Sequence, residues 1–192
     1  MALKATIYKA TIQLSDLDRQ IYADHSATIA RHPSETDERM LIRLLAFGLN
    51  AGGNDDDGTL EFARDMWDPD EPALWRKDLT GEIRHWIEVG QPDDKRLMRA
   101  SSTAGRVSVY SFASSTPVWW KEIQNRITRA RNLTIWQIPA EQSRALSGLA
   151  QRSMQLQLTI QEGTVWVGEG ERSVEVTPVR LYGDPALEDI GR

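Results

Sequence analysis

The chain has no cysteine, which excludes disulfide frameworks and thiolate-held metal centres and fits a reducing compartment. It also has no apolar run of 18 residues, and its opening, Met1-Ala2-Leu3-Lys4-Ala5-Thr6, leads into alternating residues rather than an apolar signal core. A soluble cytoplasmic protein without membrane association is the expectation. Excess positive charge is missing too: the net charge is −5, which argues against a protein that coats nucleic acid non-specifically. Neither a Gly-x-Gly-x-x-Gly turn nor a phosphate-binding Gly-Lys-Ser/Thr loop occurs, and Gly52-Gly53 lies beside Asp55, Asp56 and Asp57, which repel phosphate. Those aspartates read either as a cation-binding loop or as plain solvated turn. The three histidines, His25, His32 and His85, lack metal-ligand spacing, and His85, between Ile83 and Ile87, reads as a packed residue.

What is present suffices for one sizeable core: 192 residues, 40% apolar, with seven tryptophans. No repeat or linker interrupts the chain, so residues 1–192 are read as one domain, with 183–192 expected to be flexible and a monomer as the default. Residues 3–14 and 22–30 read as a strand pair around the turn Ser15-Asp16-Leu17-Asp18. Ser34 reads as an N-cap with Asp37 at the third helical position. Glu38 then heads the stripe Leu41, Ile42, Leu45 and Leu49, while Glu35 reads as a surface partner of Arg39. Strands are predicted over 59–67, 73–79, 83–90, 107–112 and 133–138, and helices over 93–104, 116–129 and 139–150. The alternation Met154, Leu156, Leu158, Ile160 marks a half-buried strand, continued as a meander through Thr164–Val167 and Val174–Val176. The fold class is α+β.

The stretch Ile83-Arg84-His85-Trp86-Ile87-Glu88-Val89-Gly90 is the most informative, because it sets a carboxylate among residues that want burial. Taking Thr80-Gly81 as a two-residue hairpin loop places Leu79 opposite Glu82, Trp75 opposite Trp86 and Leu74 opposite Ile87. Glu71 and Glu88 then share a sheet face as diagonal neighbours, roughly 7 Å apart at the backbone. Asp78 falls on the opposite face; a three-residue loop would swap the faces and bring it in instead of Glu71. Helix acid, strand-start acid and strand acid, here Glu38, Glu71 and Glu88, follow the order used by metal-dependent nucleases. Such acids can hold Mg²⁺ or Mn²⁺ to activate water for phosphodiester hydrolysis. Gln91 offers a weak further ligand. Lys95, Arg96 or Arg99 would stabilise phosphate charge, since Gly90 stands where a lysine is usual. Each acid taken singly also reads as an ion pair; Arg84, Arg96 and Arg39 are the partners available to Glu88. Two basic strips, Lys95-Arg96 with Arg99 and Lys121 with Arg126, Arg129 and Arg131, read either as nucleic-acid contacts or as solvated helix faces. Trp119-Trp120 before Lys121 reads as core packing or as a base-stacking pair.

Three segments carry a resemblance: Met1-Ala2-Leu3-Lys4-Ala5-Thr6-Ile7-Tyr8-Lys9-Ala10, Ala30-Arg31-His32-Pro33-Ser34-Glu35-Thr36 and Trp86-Ile87-Glu88-Val89-Gly90-Gln91-Pro92-Asp93. Together they resemble the YaeQ family of bacterial proteins over essentially the whole chain. That family is similar in fold to the PD-(D/E)XK nucleases. The resemblance implies a mixed sheet flanked by helices, a restriction-endonuclease-like core with additional β-hairpins. Glu38 would match the helix acid and Glu88 the first position of the (D/E)XK signature. Glu71-Pro72 stands in reversed order for the acid-Pro element, and Gly90 replaces the lysine. Two functions follow as expectations. One is Mg²⁺-dependent hydrolysis of DNA or RNA at Glu38, Glu71 and Glu88. The other is a catalytically inactive nuclease-fold protein that regulates by binding nucleic acid or protein.

Overall fold

The clean alternation near the C-terminus folds as its period demands, with Met154, Leu156, Leu158 and Ile160 buried and the intervening glutamines exposed. The computed structural model describes residues 2–52 and 57–187. In chain order the elements are β1 (Thr6–Asp16), β2 (Ile21–Arg31), α1 (Asp37–Asn50), β3 (Thr59–Phe62), β4 (Leu74–Lys77), β5 (Ile83–Val89), α2 (Asp94–Thr103) and β6 (Arg106–Ser111). Then follow α3 (Thr116–Ile123), β7 (Leu133–Gln137), α4 (Ala140–Ser147), β8 (Ser153–Gln161), β9 (Thr164–Glu169), β10 (Arg172–Val176) and β11 (Val179–Tyr182). The architecture is mixed α+β, with two mixed sheets and, among the described residues, four helices. None of these helices is long and apolar enough to cross a membrane.

The chain divides into two units, Met1–Gly53 with Glu141–Thr177 and Asn54–Ala140 with Pro178–Arg192. The first holds a five-stranded sheet in the order β10-β9-β8-β1-β2, with β1 parallel to β8 and the other pairs antiparallel. Helix α1 is buried along Met40–Gly48, and Gly48 lies so close to β8 that a Cβ there would collide with Leu158. Its N-cap is Thr36, which accepts from the Arg39 N–H at 3.1 Å, two residues later than the Ser34 cap expected from the sequence. The reason lies in Glu35, whose carboxylate is buried rather than on the surface. It receives the Arg43 fork at 2.8 and 2.6 Å and Arg39 at 2.9 Å, which holds residue 35 ahead of the helix.

The second unit holds a six-stranded sheet, β11-β7-β6-β5-β4-β3, in which β3, β4 and β5 form an antiparallel meander and β5, β6 and β7 run parallel. Leu74 pairs with Ile87 and Trp75 with Trp86, as expected, but the two-residue loop from which that register was taken does not form. Lys77 pairs with Ile83 across a bulge, and Leu79 projects fully into solvent. The Asp78 side chain makes the difference: its Oδ1 accepts from the Thr80 N–H at 2.8 Å and the Glu82 N–H at 3.1 Å, and Gly81 closes the turn at φ +86°. The longer loop shifts the pairing by one residue, and the bulge restores the register farther along. Three further differences stand. Residues 65–67 make a 3-10 turn instead of extending β3, α3 stops at Ile123, and β11 was not anticipated. The expected acidic loop at Asp55 and Asp56 and half of the expected mobile tail (188–192) lie outside the described residues.

Candidate functional site

Glu88 sits on β5, an interior strand paired on both sides, and is only 5% exposed. Two donors meet one of its oxygens: Trp86 Nε1–H at 2.8 Å, from two residues back on the same face, and Arg96 Nε–H at 2.6 Å. Pro92 and Asp93 explain why Arg96 arrives there. Pro92 precedes the helix, and the Asp93 carboxylate accepts the Arg96 backbone N–H at 2.7 Å, so α2 starts immediately after β5 and presents Arg96 in its first turn. The rest of the guanidinium is used as well. It donates to the Pro69 carbonyl and, at 2.9 Å, to the Glu71 carbonyl. Burial pushes the Glu88 carboxyl above its ordinary range; Arg96 and Trp86 oppose that shift, and Asp65 adds to it.

The remaining predicted site residues are placed as follows. Glu71 contributes its backbone carbonyl to Arg96, while its carboxylate accepts from the Arg64 N–H at 2.7 Å. Glu38 belongs to the first unit, where it accepts from the Ser143 hydroxyl at 2.5 Å. Asp78 caps its own turn and pairs with Arg84 at 3.0 Å; the Thr80 hydroxyl leads in lowering its pKa. Lys95 is exposed, Arg99 reaches Asp70 only at 3.9 Å, and Gln91 donates to Ser115 Oγ at 2.7 Å. Of the predicted set, the structure therefore joins Glu88, Arg96 and the backbone of Glu71.

In this arrangement the donors do not fit a magnesium ion. The Glu88 oxygen that carries the contacts already meets two N–H groups, and the three carboxylates have separate partners. Among the described residues no group of three or more His, Cys, Asp or Glu side chains is placed to hold a metal ion.

A second polar cluster was not singled out from the sequence. His85 is packed, as its alternation implied, but it is also hydrogen-bonded, its Nε2 lying 2.7 Å from Ser108 Oγ and its Nδ1 2.9 Å from Arg106 Nη2. A guanidinium can only donate, so Nδ1 accepts and the ring proton sits on Nε2, directed at Ser108. The serine oxygen thus accepts from the imidazole, the reverse of what an activated nucleophile needs. Burial, with Arg106 and Arg76 nearby, holds the His85 pKa well below 6.5. The folded state therefore binds fewer protons than the unfolded chain over the interval below pH 6.5. Stability should be full above that value and fall as the pH drops toward the folded pKa. Urea titrations from pH 7.5 to 5 should show this acid limb, and His85→Gln should flatten it; an unchanged limb in that variant would assign it to other groups.

The fold and this site define a two-unit α+β protein in which a buried acid of an interior strand, Glu88, is paired with its own arginine. The chain belongs to the YaeQ family: the family model described as "YaeQ protein" matches residues 1–178. It is 43% identical over 178 residues to "Uncharacterized protein YaeQ" of Escherichia coli strain K12, covering 92% of this chain and 95% of that one. The Salmonella typhi protein of the same description is 42% identical with the same coverage. Among solved structures, the YaeQ protein from Xanthomonas axonopodis pv. citri is similar at TM-score 0.88 and 42% identity, over 94% of this chain and 100% of that one. The Pseudomonas syringae YaeQ protein is similar at 0.87 and 39%, over 94% and 97%.

Proposed function

We propose that this chain is a catalytically silent protein on a restriction-endonuclease-like core, acting by binding rather than by hydrolysis. Support for the core comes from the element order: α1, then the antiparallel meander β3-β4-β5, then α2, then β6 parallel to β5. The single observation that carries the silent reading is Arg96. Its guanidinium supplies positive charge to Glu88 and to the Pro69 and Glu71 carbonyls, hard oxygen donors of the kind a divalent ion would use. Gly90 agrees with it. At φ +116° the backbone at the signature's lysine position is one that L side chains rarely adopt, so a lysine there would be strained.

The test is calorimetric titration of Mg²⁺ and Mn²⁺ into the wild type and Glu88→Ala, followed by cleavage assays on single-stranded, duplex and branched nucleic acids. No metal-dependent cleavage is expected, and no heat that depends on Glu88. Mg²⁺-dependent cleavage that disappears in folded Glu88→Ala would overturn the reading in favour of a nuclease in which Arg96 leaves Glu88 when metal enters.

A further inference from the structure

Charge is unevenly placed along this chain. From Asp93 to Arg131 it carries eight arginines and lysines against three acids, a net +5 within a chain of net −5. Two of these cations are committed inside the unit, Arg96 to Glu88 and Arg106 to His85. The other six, Lys95, Arg99, Lys121, Arg126, Arg129 and Arg131, are all exposed.

The fold gathers them. Leu97 and Ala100 of α2 share a core with Trp119, Ile123, Ile127 and Ala130, all packed with Val107, Val109, Leu133 and Ile135 of the sheet. The Asn132 side-chain amide ties the end of that segment to α2 through the Ser101 and Ala104 carbonyls at 3.0 and 2.9 Å. Helix α2 and the α3 segment therefore lie side by side in one layer. Lys95 and Arg99 are one turn apart on its outer side. Ile127 and Ala130 are fully buried, and these anchors direct the flanking Arg126, Arg129 and Arg131 outward. The acids nearby hold the cations loosely, with Asp94 3.9 Å from Arg126 and Asp70 3.9 Å from Arg99, and both arginines remain more than two-thirds exposed.

We infer that this layer of α2 and the α3 segment is a docking surface for the phosphate backbone of duplex nucleic acid. The inference rests on the reading of the chain as a binder and names its partner. Phosphates are met by arginine and lysine together with hydroxyl and amide donors, and the exposed Asn125 and Thr128 supply the latter between the cations. An acidic protein partner is disfavoured, because such interfaces are centred on apolar or aromatic anchors. Val118 is the one exposed large apolar residue among the described residues from 93 to 131. A single strand is disfavoured as well, since it needs open ring faces. Trp119 is buried with its N–H on the Pro92 carbonyl, and Trp120 faces Tyr182 at 5.9 Å. The residues outside 93–131 carry net −10, which confines an anionic polymer to this layer.

The experiment is fluorescence anisotropy with a mixed-sequence duplex in EDTA between 50 and 200 mM salt. About five phosphate contacts give a slope of log K against log salt near −4.5, roughly a 500-fold loss over that interval. Arg129→Gln/Arg131→Gln and, separately, Lys95→Gln/Arg99→Gln should each flatten the slope by about two and weaken binding at least about tenfold at 50 mM salt. Arg172→Gln, on the other unit, should change neither. Absence of binding at 50 mM salt, indifference to both variant pairs, an equal effect of Arg172→Gln, or tighter binding of oligo(dT) would each overturn the inference. Because EDTA removes divalent ions, this measurement can fail while the reading of Arg96 stands, and the reverse holds for the metal titration.

Discussion

Replacing Arg96 with methionine should destabilise the protein by about 3 kcal/mol at pH 8 and by markedly less at pH 5, as read from urea unfolding. The substitution leaves the Glu88 carboxylate buried with Trp86 as its remaining donor, and stranding one member of a buried pair costs roughly 3–5 kcal/mol. The lower end applies because the Arg96 side chain is 23% exposed and partly screened. The pH dependence follows from the sign of the shift. Burial already raises the folded pKa of Glu88 above its unfolded value, so stability falls as the pH rises through the folded pKa. Removing Arg96, the chief opposing influence, moves that window upward. Adding Glu88→Gln to Arg96→Met should recover much of the loss at pH 8 and erase the pH dependence. A cost that is equal at both pH values would show that Arg96 acts through packing and its carbonyl bonds rather than through Glu88.

Glu35→Ala should destabilise the first unit by about 3–5 kcal/mol. The Glu35 and Arg43 side chains are 1% and 4% exposed, and the variant strips Arg43 of a two-point carboxylate partner while also removing that of Arg39. Glu35→Gln keeps an acceptor for one nitrogen and should cost noticeably less. The comparison separates charge from hydrogen bonding. A loss below about 1 kcal/mol in Glu35→Ala would mean that water or a neighbouring acceptor replaces the carboxylate.

These two residues also mark where sequence reasoning works and where it stops. The β4–β5 pairs Trp75–Trp86 and Leu74–Ile87 came out as expected although they were reached from a two-residue loop that does not form, because the bulge at Arg76/Lys77 compensates. Strand β8, by contrast, was legible from a strict two-residue period. Glu88 was legible as a costly acid because everything around it wants burial. Its partner could not be chosen from the pattern: Arg84, Arg96 and Arg39 were all available, and only the short β5–α2 connection brings the Arg96 Nε–H to it. Glu35 was misread as a surface pair because helical spacing relates it to Arg39, whereas its two-point bond is to Arg43, eight residues on. The hairpin loop failed for a local reason, since Asp78 satisfies two backbone N–H groups and thereby draws extra residues into the turn. The short strand β11 carries no apolar run, and its pairing with β7 breaks between Arg180 and Tyr182, so neither its length nor its period announces it.

That last strand has a consequence for where the protein tolerates being cut. The match to the family model stops at residue 178, one position before β11 begins. Gly183, held at φ +113° with the Leu133 carbonyl 2.8 Å from where a Cβ would sit, and Tyr182, beside the Ile127 and Ala130 carbonyls, fasten it down. Ending the polypeptide at the family boundary would uncover the β7 margin and leave its amides and carbonyls available to any passing extended chain. Strand β11 thus serves as a selvedge, keeping the weave of this sheet from running on into its neighbours.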